Sequence, residues 1–542
     1  MCLPDSLAFR RSLRHVRETQ GELLLQILRR NADTVIGRHY RFAELRSAAD
    51  YQDRVPLSTY EDYQEAMERI ARGQTKILTD DPVLLLEPTS GSTAATKYIP
   101  YTPSLKAEFQ RAIAPWVVDL FRHEPRLLRG QAYWSITPVT HRQERTPGGI
   151  PIGFEDDNEY FGLLQRYLIQ SIMAVPPPVR LIDDMTTFRY VTLLFLLRSR
   201  NLTLISVWNP TFLTLLVEPL TDWWSHLAAD IRHGTLSPPR PLPSRLLASF
   251  KVWNRPDPGR ADEVRTAFQQ NSKPATIHTR LWPNLRLISC WTDAHAALAV
   301  PRVNRLFPQA RVQGKGLLAT EGVVSFPLVG QPGYILALRS HFFEFLPLDG
   351  QTARPFPAHQ LERDSEYEVV LTTGGGLYRY RLGDVVRVVG HLDSCPLIQF
   401  VGKAGQISDR FGEKLNEYHV RRALETVFGR HSFQPRFAMI AYDESLEQPA
   451  YTLFIEANGT PDQLLRQLAA DLDIALRENF HYAYCRDLQQ LGPLHVFRIS
   501  EGALKTFHTV CRREGQRAGD IKPVALHRSG NWARTFRGRV IS

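Results

Sequence analysis

The chain has 542 residues, 43% of them hydrophobic and 23% charged, a balance that belongs to a folded globular protein and excludes a disordered one. Its formal charge is +10, and from residue 501 to 542 nine Lys/Arg stand against three Asp/Glu. A basic tail of this kind fits a nucleic-acid partner or a phosphate-bearing substrate, but no zinc-finger spacing or aromatic RNA-binding strand accompanies it, so nucleic acid is not the expected partner.

Five scattered cysteines (Cys2, Cys290, Cys395, Cys485, Cys511) form no C-x-x-C pair, so neither structural zinc nor a disulfide framework is expected and a reducing cytoplasm fits. Met1-Cys-Leu-Pro-Asp-Ser6 lacks the pattern of a secretory leader. No apolar run reaches membrane-spanning length, since residues 191–197 lead straight into Arg198.

In chain order, the first thirty residues read as one helix with Leu13, Val16, Leu23, Leu24, Ile27 and Leu28 along a face. A polar turn follows, Asn31-Ala-Asp-Thr-Val-Ile-Gly37, and then a helix over 60–72 that Ser58 or Thr59 can cap. Residues 83–86 read as a buried strand running into Glu87-Pro-Thr-Ser-Gly-Ser-Thr-Ala-Ala-Thr-Lys97, after which Thr102-Pro103 opens a helix as N-cap and first helical residue. Small residues let backbone amides approach a phosphate, while Ser90, Ser92 and Thr93 around Gly91 add donors and Lys97 adds charge. The loop is not a Walker A sequence, because Tyr98 follows Lys97. Taken alone, it is equally an ordinary polar strand-to-helix connection.

Residues 134–153 read as strand and loop, 160–235 as apolar helices around a strand at 204–208, and 237–258 as a proline-dense connection. Trp223 and Trp224 fall in a helix, where core packing is the default. A further strand is expected at 285–291, followed by β character from 333 to 401 and a mixture of helix and strand beyond. Within this part, Gly314-Lys-Gly-Leu-Leu-Ala-Thr-Glu-Gly322 reads as a strand ending in Thr320-Glu321, where a carboxylate can hold magnesium beside a hydroxyl. In Gly374-Gly-Gly-Leu-Tyr-Arg-Tyr-Arg-Leu-Gly-Asp384, strand alternation puts Tyr378, Tyr380 and Leu382 on one face and Arg379 and Arg381 on the other. Gly383-Asp384 then ends the strand in a turn, where the carboxylate can chelate ribose hydroxyls. Gly402-Lys-Ala-Gly-Gln406 reads as a hinge. Each segment also has a structural explanation: a surface carboxylate, an ordinary hairpin, a loop.

The order of these segments resembles the adenylate-forming ligase superfamily. Their wording resembles the auxin-responsive Gretchen Hagen family of acyl-acid amido synthetases over nearly the whole chain. The phrases that carry the likeness are Asn31-Ala-Asp-Thr-Val-Ile-Gly37, Val55-Pro-Leu-Ser-Thr-Tyr-Glu-Asp62, Thr89-Ser-Gly-Ser-Thr93 with Lys97-Tyr-Ile-Pro-Tyr-Thr102, Phe343-Glu-Phe345, Gly376-Leu-Tyr-Arg-Tyr-Arg-Leu-Gly-Asp384 and Gly519-Asp-Ile-Lys-Pro523.

The resemblance implies an α/β fold. It has a large N-terminal adenylate-forming domain of mixed sheets and flanking helices (1–401), a hinge (402–406) and a small mobile α+β domain (407–542). It also implies ATP and Mg²⁺ as cofactors, with a carboxylic acid and an amino acid or other amine as substrates, joined through an acyl-adenylate. Lys97, Ser92, Thr93 and Lys522 are the implied catalytic residues. Ser90, Gly91, Ser92, Thr93, Thr320, Glu321, Tyr380, Asp384 and Lys403 are implied for the nucleotide, and Glu321 for the metal. A monomer without membrane association is expected. The sequence departs from the family at Ala94, where relatives often carry glycine, at Leu317, in place of an aromatic, and at Lys403, in place of arginine. Transfer to coenzyme A or another thiol remains open, as does a basic binding protein on an inactive ligase scaffold.

Overall fold

A computed structural model describes every residue except 1, 90–96, 136–144, 154–171, 272, 349–353, 405–406, 409, 412, 414, 444–445, 447, 514–515, 517–520, 528–529 and 542. The chain divides into two compact units. One comprises Met1–Val207, Leu216–Cys290 and Asn304–Phe400, and the other Trp208–Leu215, Trp291–Val303 and Val401–Ser542.

The strands of the first unit are β1 (Leu85–Thr89), β2 (Lys97–Tyr101), β3 (Gln131–Trp134), β4 (Leu202–Ser206), β5 (Leu287–Ser289), β6 (Arg311–Gln313), β7 (Ser325–Pro327), β8 (Tyr334–Leu336), β9 (Phe342–Pro347), β10 (Phe356–Pro357), β11 (Glu366–Thr372) and β12 (Tyr380–Leu392). β13 (Cys395–Lys403) begins in this unit. β1 and β2 form an antiparallel hairpin, β3-β4-β5-β6 a parallel sheet, and β10-β9-β11-β12-β13-β8-β7 a seven-stranded sheet. The runs Phe-Phe-Glu-Phe in β9 and Val-Val-Leu in β11 are buried, and their alternate residues Phe343, Phe345, Val369 and Leu371 supply one continuous core with Phe9, Tyr63, Ile99 and Leu105.

The helix Met185–Arg198 buries nearly every side chain from Thr187 to Leu197, which identifies its apolar run as a core helix. No described helix is long and apolar enough to cross a membrane. Trp223 packs against Tyr190 and Trp224 stacks on Phe268, but both are only half-buried, at the edge of the core and not within it. The single helix expected at the start is instead two, Leu3–Ser12 and Val16–Arg30. The break coincides with Ser12, whose hydroxyl bonds to the Phe9 carbonyl at 2.7 Å, a local partner that competes with the helix ladder.

In the second unit β14 (Ile407–Ser408) pairs with β15 (Leu415–Asn416). A five-stranded sheet has the order β19-β16-β17-β18-β20, from β16 (Phe437–Asp443), β17 (Ala450–Glu456), β18 (His495–Ile499), β19 (Leu526–His527) and β20 (Gly538–Ile541). Strand alternation gives the sheet two apolar faces. Ala438, Ile440, Leu453 and Ile455 pack with the helices Glu417–Arg430 and Asp462–Leu476. Phe437, Met439, Ala441 and Phe454 pack with Ala503–Arg513 and Trp532.

Candidate active site

Lys97 opens β2 opposite Thr89, so the hydroxyl-rich segment is the connection of an antiparallel hairpin and not a strand-to-helix loop. Ser90, Gly91, Ser92 and Thr93 lie outside the described residues. The helix Pro103–His123 starts only after β2. Thr102 Oγ1 accepts from the Leu105 amide at 3.1 Å, and Pro103 occupies a position that needs no amide. Lys97 Nζ lies 5.3 Å from the Tyr60 ring centre, and the Tyr60 hydroxyl accepts from the Tyr98 amide at 2.7 Å. The backbone amide of Glu61 and the Thr59 hydroxyl hold the Glu61 carboxyl below its ordinary range, and Lys97 adds to the effect.

Thr320 and Glu321 do not end a strand. They sit in a tight turn closed by Leu318 and Val323, with Ala319 and Gly322 exchanging backbone hydrogen bonds at 3.0 and 3.2 Å. Glu321 is 8% exposed, so it is no ordinary surface carboxylate. Its charge is felt at Tyr380, whose phenol is pushed well up by burial first and then by the Glu321 and Glu61 carboxylates. The rings of Tyr380 and Tyr63 are 6.1 Å apart. Lys97, Glu61, Tyr380 and Glu321 therefore share one electrostatic neighbourhood walled by Tyr60 and Tyr63.

The expected alternation fails at Arg379. This residue has φ of 47° and is buried, so it does not share a solvent face with Arg381. Its guanidinium donates to Glu344 at 2.9–3.1 Å and to the Gln52 and Val55 carbonyls at 2.9 and 2.6 Å. Ser58 bonds alongside, donating to the Arg379 carbonyl at 3.0 Å and accepting from the Arg381 amide at 2.8 Å. The phrases around Val55, Glu344 and Arg379 are thus one buried knot, and a charged pair is tolerable there because both partners are fully hydrogen-bonded.

Asp384 likewise does not terminate its strand. Glu368 pairs with Val385 and Val370 with Arg381, so Leu382, Gly383 and Asp384 together face one residue of β11. Gly383 allows this bulge with φ of 74°, and Asp384 within it is 4% exposed.

In the second unit, Lys522 Nζ stands 3.7 Å from the centre of the Trp291 ring, and the preceding Ile521 carbonyl accepts from Asn209 Nδ2 at 2.8 Å. Lys403 and Lys522 both act on Glu417, a buried carboxylate that accepts from the Ala525 amide at 3.1 Å. Burial pushes its carboxyl up to about 7, opposed by the Ala525 amide and by the charges of Arg421, Lys403 and Lys522.

Sequence reasoning missed three buried groups: Glu417, the Glu108–His341 pair and Lys315. The available signal for Lys315 is its place just past β6, at the carboxyl edge of a parallel sheet where ligands of such folds bind. Its Nζ donates to Ser206 Oγ at 2.7 Å and lies 5.8 Å from the Trp116 ring centre. Burial pulls its ammonium down to about 8, with Cys290 opposing weakly. Between about 8 and 10.5 the unfolded chain binds the proton that the native chain has released, so stability rises with pH across that window. At neutral pH the burden is fully present. Lys315→Met is therefore expected to stabilise the protein at pH 7 by about 2 kcal/mol after losing the Ser206 bond, read by urea unfolding. Unchanged or lower stability refutes a desolvated ammonium.

Taken over 99% of the chain, this architecture is the fold of an acyl acid amido synthetase. The structure of AtGH3.15 acyl acid amido synthetase in complex with 2,4-DB matches it with TM-score 0.84 and 22% identity, over 96% of that chain. Residues 7–312 match the model of the GH3 family N-terminal domain, 334–403 that of the GH3 family central domain and 418–531 that of the GH3 family C-terminal domain. The chain belongs to the GH3 family, as the Gretchen Hagen phrases anticipated. Among curated relatives, it is 23% identical to the indole-3-acetic acid-amido synthetase GH3.3 of Arabidopsis thaliana, covering 91% of this chain and 86% of that one. It is 25% identical to the jasmonoyl–L-amino acid synthetase JAR4 of Nicotiana attenuata, covering 91% and 87%.

Proposed function

We propose that this protein is a cytoplasmic, ATP-dependent acyl-acid amido synthetase. A carboxylate oxygen of the acid attacks the α-phosphate of ATP, forming acyl-adenylate and releasing pyrophosphate. A neutral amino acid nitrogen then attacks the acyl carbon, forming the amide and giving up one proton to solvent, and AMP leaves with the electron pair of the broken C–O bond. The observation that carries the reading is the succession of three GH3 family domains along one chain. The convergence of Lys97, Glu321 and Tyr380 on one neighbourhood in the first unit supports it. Five free thiols support a reducing compartment.

In this reading Lys97, Ser90, Ser92, Thr93 and the Gly91 backbone receive the charge that moves onto pyrophosphate. Lys522 serves the α-phosphate, Thr320 and Tyr380 line the nucleotide site, Asp384 holds the ribose hydroxyls, and Lys403 assists. Glu321 would hold magnesium, whose chemistry is to neutralise phosphate charge. Among the described residues no group of three or more His, Cys, Asp or Glu could hold a metal, and a lone carboxylate fits an ion bound chiefly by phosphate oxygens and water. The relatives are named for different acids, so the family defines the reaction and not the acid.

The test is acid-dependent pyrophosphate release across a panel of carboxylic acids, with and without amino acids. Pyrophosphate release without amide product, but with thioester when coenzyme A is added, would transfer the reading to a thiol ligase. Release with no acid of the panel would overturn it. A second expectation concerns Asp384. Removing the acceptor from two ligand hydroxyls should weaken ATP and AMP together, by about tenfold or more for Asp384→Ala. The variant should also discriminate less against 2′-deoxy-ATP, and undiminished discrimination would place the ribose elsewhere.

A further inference from the structure

We propose that the buried Glu108–His341 pair positions the Thr320–Glu321 turn against the helix that follows the Lys97 hairpin. The proposal rests on Glu321 serving the nucleotide's magnesium. His341 Nε2 accepts from the Val323 amide at 3.1 Å, so the ring proton is on Nδ1, which donates to Glu108 Oε2 at 2.9 Å. Glu108 also accepts from the Gly374 amide, at 2.9 and 3.1 Å to its two oxygens. One imidazole and one carboxylate therefore join three segments: the turn, the helix Pro103–His123 and the glycine run leading to Tyr378–Asp384.

The joint has no slack. The two side chains are 0% and 3% exposed. A Cβ on Gly322 would lie 2.6 Å from His341 Nε2, and one on Gly374 would lie 2.5 Å from Glu108 Oε1. The rings of Phe109 and Phe343 meet the imidazole edge-on, with centroids 6.3 and 6.0 Å away. Stability alone does not account for such a pair, since apolar replacements of buried ionisable pairs are often neutral or stabilising. What an apolar pair cannot do is accept from one segment while donating to another with fixed direction. Val323 is two residues past Glu321, so the tether fixes the carboxylate through a closed turn.

The experiment measures binding of a non-hydrolysable ATP analogue to the full chain by calorimetry, with and without Mg²⁺. His341→Gln should weaken binding with Mg²⁺ by about tenfold to hundredfold, the usual cost of losing a group that orients a metal ligand. Binding without Mg²⁺ should not change. Gly322→Ala, which presses on the same ring from the turn, should give the same Mg²⁺-selective loss and serves if His341→Gln fails to fold. Glu321→Gln reports on the underlying reading. If it loses Mg²⁺-dependent binding while the other two keep it, the positioning role is overturned. If Glu321→Gln itself keeps it, the reading of Glu321 fails and the inference falls with it. Equal losses with and without Mg²⁺ in His341→Gln would mean general loosening and also overturn the proposal.

Discussion

Lys522→Ala is expected to slow acid-dependent pyrophosphate release by about 10²–10³, the usual cost of losing one charged donor to developing negative charge. Transfer of the acyl group from supplied acyl-adenylate to an amino acid should be nearly unaffected. The two half-reactions differ in where charge develops: on phosphate oxygens in the first, on the acyl carbonyl in the second. A lysine that serves the phosphate matters to one of them. The variant should fold, because the side chain is exposed and its contact with the Trp291 ring contributes about 0.5–1 kcal/mol at an exposed site. The neighbouring backbone is held independently by Asn209 and by buried Ile521 and Pro523. Trp291→Leu removes the ring and keeps the ammonium, so it separates loss of the resting contact from loss of the charge. Equal slowing of both half-reactions by Lys522→Ala would indicate a shared structural role, and no slowing of either would make Lys522 a bystander in a basic tail.

Where local pattern dominates, the sequence was readable. β17 runs from Ala450 to Glu456 as its β-branched and aromatic residues indicate, and Thr102-Pro103 starts its helix where an N-cap and a proline must. Reading failed where a distant partner overrides the local period. Arg379 belongs by alternation with Arg381, but Glu344 and two carbonyls draw it into the core in a left-handed conformation. Asp384 looked like a strand terminus because Gly-Asp is turn chemistry, and only the register against β11 makes it a bulge. Thr320–Glu321 lies in a turn for the same kind of reason, with Gly322 pressed against a histidine nineteen positions on. His341 and Glu108 carried no signal of their own. A lone histidine is usually a core residue, and nothing in the sequence pairs it with a glutamate on a remote helix.

Glu417 turns the second unit into a pH-sensitive body with a predictable sign. Its carboxyl is raised from an ordinary 4.5 to about 7, so between those values the native chain holds a proton that the unfolded chain has released. Stability must then fall as pH rises across the window and level off above about 7, for a total of about 3 kcal/mol from this group. Glu417→Gln keeps an oxygen for the Ala525 amide and cannot ionise. Urea unfolding should therefore find the variant close to wild type near pH 5 and more stable near pH 8 by up to about 3 kcal/mol. The functional consequence runs the other way. Above the transition Lys403, Arg421 and Lys522 face a carboxylate, and below it a neutral acid. Wild-type pyrophosphate release should bend near pH 7 as Lys522 gains and loses that counter-charge, while the glutamine variant shows no bend. If both proteins bend alike, the group that titrates is not Glu417. If their stabilities run parallel from pH 5 to 8, the carboxyl is not raised, because an acid of ordinary pKa at this position would leave no difference in slope for the amide to remove.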